Sequence, residues 1–271
     1  MHNIGIIGCG NMGSAICQRL KNSYSLFVFD KDSAKTKNLS GVNVAENILD
    51  LLNKSEAVIL AVKPQDFDNL LNEIKTNIKG ELVISIAAGV TTGYIEKILG
   101  RVKVIRVMPN LPARIGKGMS CLCRGKFASD KDLNFAKELF DRLGQTLIIN
   151  EDMMDAATAI SGSGPGYFYN FIEKKDREEI KQSADKFVES LSASAKSIGF
   201  SNEQANILAK ATVGGSLALL QETKLSPLEL KKQITSKGGT TEAALEVLHN
   251  SGSLRDAVKA ALKRAKELSK G

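Results

Sequence analysis

The chain changes character near residue 150, and this change limits the folds that it can adopt. Before that point, short apolar runs alternate with helical patterns. The runs are NIGIIG, SLFVFD, EAVILAV, ELVISIAAG, VKVIRVMPN, MSCLC and QTLIIN. Several are continuously apolar and rich in Val and Ile, as is typical of parallel strands buried on both faces. Strands that alternate with helices predict a doubly wound α/β sheet.

Helical patterns separate these strands and then fill the rest of the chain. The patterns in the first part are Asn11–Lys21, Asp66–Ile78, Thr92–Leu99 and Asp130–Leu143. After residue 150 the strand signals nearly stop, and the last helix, from Leu254, repeats apolar residues every three or four positions. We therefore expect an α/β domain over residues 1–151 and an all-helical domain over residues 152–271.

Length, composition and charge exclude several classes of protein. The 271 residues suit one large domain or two ordinary ones, and a 43% hydrophobic content is enough for a core. No apolar run reaches the ~18 residues of a membrane span, and MHNIGIIG lacks the basic start of a signal peptide. The net charge is +7, but no Arg/Lys cluster is interleaved with aromatics. We expect a cytoplasmic protein with neither nucleic-acid nor membrane partners.

Cysteine and histidine give no sign of metal or disulfide chemistry. The four cysteines form no C-x-x-C pair and lie in apolar contexts, so we expect buried free thiols. The two histidines have no acidic or Cys partner at ligand spacing. No metal site is expected.

A glycine loop follows the first strand. GCGNMG puts Gly8, Gly10 and Gly13 in a G-x-G-x-x-G pattern between a strand and a helix, which is the context that a dinucleotide site requires. In such a loop the first glycine permits the tight turn and the second lets the backbone approach a pyrophosphate. The third lets the helix pack on the strand.

The end of the second strand bears on the choice of cofactor. An acid there, Asp30, favours NAD because it can bond the ribose 2′-hydroxyl. Lys31 and Lys35 are close by, and either can neutralise the 2′-phosphate of NADP. The choice between NADH and NADPH therefore stays open.

A second glycine-containing break occurs at residues 233–241, QITSKGGTT. Helix-compatible sequence lies on both sides, SPLELKKQI before it and EAALEVL after it. Two glycines inside a helix would cost about 2 kcal/mol relative to alanines, so a loop is expected. A loop that ends in hydroxyls and opens a helix can hold an anion. On spacing alone, a Gly-Gly turn with Thr240 or Thr241 as an ordinary helix cap is the stronger alternative.

Six motifs follow one another along almost the full length of the chain. They are GCGNMG (8–13), AVKPQ (61–65), SIAAGV (85–90), RVMPNLP (106–112), SGSGPGY (161–167) and SKGGTT (236–241). Their content and order resemble the pyrroline-5-carboxylate reductase family, which makes L-proline. GCGNMG occurs in many dehydrogenases, whereas SGSGPGY and the Gly-Gly-Thr-Thr loop are far more specific.

The resemblance implies an N-terminal Rossmann domain that binds NADPH or NADH, over residues 1–151. It implies an all-helical substrate and dimerisation domain over residues 152–271. The implied reaction is the reduction of 1-pyrroline-5-carboxylate to L-proline by hydride transfer, the last step of proline biosynthesis. The implied assembly is a homodimer or a higher homo-oligomer such as a decamer.

The resemblance also implies site residues. Cofactor contacts are expected from Gly8, Gly10, Asn11, Met12, Gly13, Asn47, Ala61, Val62, Lys63, Pro64, Ala87, Ala88 and Gly89, to which the strand-end argument adds Asp30 and Lys31. Substrate contacts are expected from Ser236, Gly238, Gly239, Thr240 and Thr241. Bare amides at 238–240 would face the substrate carboxylate, and the Thr241 hydroxyl, the expected catalytic group, would bond the imine nitrogen.

The chain departs from the family in two places, and two alternatives remain. Lys237 replaces the proline usual in the substrate loop, and the charged segment Glu173–Lys186, expected to be an exposed helix, is extra.

A β-hydroxyacid dehydrogenase or another imine reductase shares the glycine fingerprint. Such dehydrogenases normally show a catalytic lysine in the helical domain. A non-catalytic NAD(P)-binding module would lack the substrate loop.

Overall fold

The computed structural model describes residues 2–269. The strands are β1 (Asn3–Ile7), β2 (Ser25–Phe29), β3 (Asn43–Val44), β4 (Ala57–Leu60), β5 (Leu82–Ser85), β6 (Lys103–Met108), β7 (Gly118–Arg124) and β8 (Gly144–Ile148). The helices are α1 (Asn11–Leu20), α2 (Ile48–Asn53), α3 (Phe67–Ile74), α4 (Thr92–Leu99), α5 (Asp130–Asp141), α6 (Met154–Ala157), α7 (Gly164–Ile172), α8 (Arg177–Ser197), α9 (Asn202–Thr223), α10 (Pro227–Ile234), α11 (Thr240–His249) and α12 (Leu254–Ser269).

The eight strands form one sheet in the order β3-β2-β1-β4-β5-β6-β7-β8. The pairs from β3 to β6 are all parallel. From the inner strand β1 the chain runs outward to β3 and returns to β4 on the other side of β1. This reversal of strand order defines a doubly wound sheet, and it confirms the predicted fold class. Ligands bind such sheets at the carboxyl ends of the strands beside the reversal.

Burial explains why the strands read as continuous apolar runs. All four residues of β4 and of β5 are buried, as are the last four of β1. The core cluster joins strand residues such as Val58 and Val83 to Leu51, Phe67 and Leu71 from α2 and α3. A strand covered on both faces has no polar side, so its pattern lacks the alternation of a half-exposed strand.

The chain divides into two compact units, and each has its own core. One unit comprises residues 1–107 and 122–151, and the other comprises residues 108–121 and 152–271. In the second unit, α8 packs on α9, α10 on α7 and α11 on α12. Tyr167, Phe168 and Tyr169 of α7 are fully buried in it. The sequence carries no signal that residues 108–121 belong to the helical unit.

Most predicted elements are present, and the short ones were missed. The two-residue strand β3 and the six-residue helix α2 are too short to show a hydrophobic period. The helix predicted over Asp66–Ile78 ends at Ile74, and the one predicted over Asp130–Leu143 ends at Asp141. In the charged segment the helix begins at Arg177, behind the cap residue Asp176, and its residues to Lys186 are mostly exposed, as predicted.

Two further expectations can be compared with the structure. Cys9, Cys17, Cys121 and Cys123 are all buried and free, as predicted. No helix within residues 2–269 combines the length and the hydropathy that crossing a bilayer requires.

A capping box at the start of α9 supplies a stability test. Ser201 Oγ accepts from Gln204 N at 3.2 Å, and Gln204 Oε1 accepts from Ser201 N at 3.2 Å. We expect Ser201→Ala to lower the free energy of unfolding by about 1 kcal/mol, or about 2–4 °C in Tm, because the first-turn amide of Gln204 loses its acceptor. Thermal unfolding measures this loss. Ser190→Ala, which removes an exposed hydroxyl from inside α8, is the control, and an equal loss there would contradict the capping account.

Candidate active site

The glycine loop joins β1 to α1 and has a shape that only glycine permits at two positions. Gly8 has φ +100°, and a Cβ on it would lie 2.7 Å from the carbonyl oxygen of Ala61. A Cβ on Gly13 would lie 1.9 Å from the carbonyl oxygen of Gly8. The first glycine therefore makes the turn and the third lets α1 approach it, as the fingerprint predicts.

The middle glycine leaves open space in front of the helix. A Cβ on Gly10 would meet nothing within 4 Å. Gly10 is the N-cap of α1, and the first helical hydrogen bond runs from Ser14 N to Gly10 O at 2.9 Å. The amides of Asn11, Met12 and Gly13 therefore have no acceptor inside the helix. Free amides, a helix N-terminus and an open approach fit the pyrophosphate of a dinucleotide.

Asp30 braces this loop from the end of β2. Its Oδ2 accepts from Cys9 N at 2.7 Å, and its Oδ1 accepts from Asp32 N at 2.9 Å. Lys35 Nζ lies 3.4 Å from Oδ1. Burial alone would raise the pKa of Asp30, but the two backbone donors and Lys35 outweigh it and lower that pKa. The carboxylate thus holds the loop, a role that the strand-end pattern does not show.

Two more predicted cofactor residues also have partners within the protein. Lys31 Nζ pairs with Asp66 Oδ1 at 2.7 Å, and both side chains are partly solvated. Asn47 is the N-cap of α2, and its Oδ1 accepts from Asp50 N at 2.9 Å. A part in cofactor binding stays a prediction for both.

The segments predicted to line the cofactor path follow neighbouring strands. Ile7 of β1 is in register with Leu60 of β4, and Leu60 is in register with Ser85 of β5. The carboxyl ends of these strands therefore lie side by side, and three segments follow them: the glycine loop, Ala61–Pro64 and Ala87–Gly89. The strand order reverses at this point, which is where doubly wound sheets bind ligands.

In the second unit, the loop 235–239 separates α10 from α11 as predicted. Gly238 has φ +69°, a conformation that favours glycine. Its N–H donates to Glu242 Oε2 at 2.7 Å, and its carbonyl accepts from Arg264 Nε at 2.7 Å. Gly239 N donates to Ser236 O at 3.0 Å. The loop is therefore held by its own backbone and by side chains from α11 and α12.

These bonds change which amides are available to an anion. The amides of Gly238 and Gly239, expected to be bare, donate inside the protein. The first helical bond of α11 runs from Ala243 N to Gly239 O at 3.2 Å. The first-turn amides of Thr240, Thr241 and Glu242 therefore have no acceptor inside the helix. The open donors, at residues 240–242, lie two residues later than the predicted set at 238–240.

Thr240 and Thr241 are not helix caps, because Gly239 is the N-cap and its first turn has no side-chain cap. Their hydroxyls turn instead toward Ser163. Thr241 Oγ1 donates to Ser163 Oγ at 3.0 Å, and Ser163 Oγ lies 2.8 Å from Thr240 Oγ1. Ser163 and Thr241 are buried, with 1% and 4% exposure, and Thr240 is half-buried. The alternative that these threonines cap α11 is therefore wrong.

Ser163 was not among the predicted site residues, although SGSGPGY, the motif that contains it, was noted. A π-helical turn, Thr158–Gly162, precedes it, and Ser163 N donates to Thr158 O at 2.9 Å. A Cβ on Gly166 would lie 2.6 Å from the Thr241 methyl group, so this glycine gives α11 room to approach. The two specific motifs of the sequence thus meet at three hydroxyl groups.

RVMPNLP is tied to the same region by one buried amide. Asn110, 2% exposed, donates from Nδ2 to Ser161 O at 3.1 Å and accepts from Met119 N at 2.8 Å. The motif therefore fixes the backbone of SGSGPGY, two residues before Ser163.

Comparison with known proteins agrees with this geometry. The family model of pyrroline-5-carboxylate reductase dimerisation matches residues 151–270, and that of NADP oxidoreductase, coenzyme F420-dependent, matches residues 3–89. A pyrroline-5-carboxylate reductase of Synechocystis is 35% identical, over 98% of both chains.

Solved structures give the same result. The pyrroline-5-carboxylate reductase of Coxiella burnetii has a TM-score of 0.66 and 33% identity, covering 100% of this chain and 99% of the other. The pyrroline carboxylate reductase of Plasmodium falciparum, solved with NADP bound, has a TM-score of 0.65 and 29% identity, covering 99% and 100%. Identity above 30% across nearly the whole chain shows that this protein belongs to the pyrroline-5-carboxylate reductase family.

Proposed function

We propose that this chain reduces 1-pyrroline-5-carboxylate to L-proline, with the glycine loop of β1–α1 holding NADPH or NADH and the start of α11 holding the substrate. The observation that carries the proposal is the meeting of the Gly-Gly-Thr-Thr loop with SGSGPGY at Ser163. The cofactor, when bound, supplies the hydride. The protein positions the cofactor and the substrate and supplies the electrostatic field around them.

The substrate has a carboxylate and a ring nitrogen, and the start of α11 offers a group for each. The first-turn amides of Thr240, Thr241 and Glu242 and the positive end of the helix suit the carboxylate. The Thr241 hydroxyl suits the nitrogen. Ser236, Gly238 and Gly239 shape the loop that brings these groups together, so their proposed part is largely structural.

One observation disfavours the dehydrogenase alternative. Lys231 is the less exposed of the two lysines of α10, with 12% of its side chain exposed. Its ammonium bonds the Glu173 carboxylate and, at 3.1 Å, Asn170 Oδ1. An ammonium neutralised in this way supports helix packing and is poorly suited to proton transfer.

We further propose a cytoplasmic homo-oligomer whose basic unit is a dimer. The chain carries the family's dimerisation region over residues 151–270, which supports association of identical chains. A decamer is the larger assembly that we propose. Sedimentation velocity separates dimer from decamer by mass, and a monomer at micromolar concentration would contradict both.

The first prediction concerns Thr241. We expect Thr241→Val to lower kcat for 1-pyrroline-5-carboxylate roughly 5- to 150-fold, because a near-isosteric side chain loses about 1–3 kcal/mol of bonding to the reacting group. The KM for NAD(P)H should change little. Thr235→Val is the control, because it removes a neighbouring hydroxyl that bonds the Lys231 carbonyl. Wild-type turnover in Thr241→Val would leave the hydroxyl with a packing role only.

The second prediction concerns the cofactor. We expect Asp30→Asn to raise the kcat/KM ratio of NADPH to NADH by roughly tenfold, since a negative charge near the 2′-phosphate is worth about 1.4 kcal/mol. The amide oxygen can still accept from Cys9 N. Asp30→Ser should raise the ratio too, but it also removes the acceptor of the Cys9 N–H. Asp141→Asn, which removes a charge from α5, is the control. An unchanged ratio in Asp30→Asn would mean that Asp30 only braces the loop.

The third prediction concerns Lys237, which is exposed, as expected for a side chain that faces solvent. Among residues 2–269 its N–H has no hydrogen-bond partner, so proline at this position breaks no bond. We expect Lys237→Pro to keep or modestly lower the KM for the imine, by less than ~1 kcal/mol, because the loop has less freedom to lose on binding. The KM of both proteins should depend weakly on salt. A wild-type KM that rises strongly with ionic strength, and loses this dependence in Lys237→Pro, would place the ammonium at the substrate carboxylate.

A further inference from the structure

We propose that Ser163 is a positioning residue that decides which threonine hydroxyl donates and which accepts, so that Thr241 receives an N–H from a protonated imine and Thr240 donates to a carboxylate. This inference rests on the proposed function. Ser163 is 1% exposed, and it contacts both threonine hydroxyls, at 2.8 and 3.0 Å.

The protons of the three hydroxyl groups limit which of them can donate. A hydroxyl has one proton to donate and two lone pairs to accept with. Thr241 gives its proton to Ser163 Oγ, so its remaining capacity is as an acceptor. Ser163 accepts that bond, and the proposal assigns the proton of Ser163 itself to Thr240 Oγ1, which lies 2.8 Å away. The proton of Thr240 is then left over for a group outside this chain of three hydroxyls.

The two ends of the chain then suit different parts of one ligand. An acceptor oxygen at Thr241 matches the N–H of an iminium ion and has nothing to offer the bare lone pair of a neutral imine. A donor hydroxyl at Thr240, beside the first-turn amides of α11, matches a carboxylate. The substrate class is therefore a cyclic iminium that carries a carboxylate.

The chemical step balances without a proton from the protein. The iminium carbon gains the hydride, and the C=N π electrons become the lone pair of the ring nitrogen. The proton already on that nitrogen stays there, and NAD(P)H is oxidised to NAD(P)⁺. Thr241 keeps its own proton, which agrees with the weak acidity of an alcohol at neutral pH.

The position of Ser163 is fixed from both sides. Its N–H is held by the carbonyl of Thr158 across the π-helical turn, and its carbonyl accepts from Gly166 N at 2.9 Å. The backbone at Ser163 therefore cannot move away to follow the threonines, and its hydroxyl is held by the two threonine contacts. A rigid hydroxyl between two partners orients both of them.

A double-mutant cycle in kcat tests the proposal. The variants are Ser163→Ala, Thr241→Val and the two combined, assayed with 1-pyrroline-5-carboxylate and NAD(P)H. We expect Ser163→Ala alone to lower kcat roughly 5- to 30-fold with little change in the KM for NAD(P)H. In the Thr241→Val background the same change should cost less than about twofold, because Ser163 acts through Thr241.

Ser161→Ala is the matched control. Ser161 is a fully buried serine two residues away, and its Oγ donates to Ala157 O at 3.0 Å. We expect it to keep wild-type kcat within about twofold. Ser163→Cys, which keeps a weak donor of similar size, replaces Ser163→Ala in the cycle if the alanine variant unfolds below the assay temperature.

The outcomes separate this inference from the proposed function. Equal losses from Ser163→Ala in both backgrounds, or an equal loss in Ser161→Ala, would overturn the inference while the wild type still makes proline. Failure of the wild type to make proline would overturn the proposed function, and the inference with it. A loss confined to the wild-type background supports both.

Discussion

The hydrogen bonds of Ser163 to Thr240 and Thr241 are the interaction on which the start of α11, the proposed substrate site, depends. They join the start of α7 to the start of α11, two helices far apart in sequence. Buried hydroxyls must find partners, because leaving one unpaired costs about 1–3 kcal/mol. The pairing therefore fixes where α11 begins, and with it where the first-turn amides point.

The two glycine loops expose helix amides by the same means. Seven of the helices within residues 2–269 have an N-cap side chain that accepts from the first turn, namely α2, α4, α5, α8, α9, α10 and α12. At α1 and α11 the cap is Gly10 or Gly239, with no side-chain bond. A glycine cap leaves the first-turn donors free and keeps a side chain out of the approach. Each unit thus has one helix start suited to an anionic group, a phosphate at α1 and a carboxylate at α11.

Much of the fold could be predicted from the sequence, because its signals are local. The buried strands are continuous apolar runs, and the caps at Ser201 and Ser253 follow from residues three apart. β3 and α2 could not be predicted, because elements of two and six residues are too short to show a hydrophobic period. Residues 108–121 belong to the helical unit through long-range contacts, such as that of Asn110 with Ser161, which no local pattern reveals.

The site could be predicted less completely, because several of its contacts join residues that are far apart in sequence. The φ of Gly8 and of Gly238 follows from the need for a tight turn. Three contacts could not be predicted, because each joins a side chain to a distant or unexpected partner. They are the bonds of Glu242 to Gly238 N, of Asp30 to Cys9 N and of Ser163 to Thr241. A motif such as SGSGPGY marks where to look. Only the structure shows that Ser163 contacts Thr240 and Thr241.

A structure of the protein with a bound proline analogue and NADP⁺ would test the central claim most directly. We predict that the carboxylate of the analogue lies against the first-turn amides of α11, beside Thr240. We predict that its ring nitrogen lies within hydrogen-bond distance, about 3 Å, of Thr241 Oγ1, with Thr241 still bonded to Ser163. An analogue bound away from the start of α11, or one whose nitrogen has no contact with Thr241, would contradict the account.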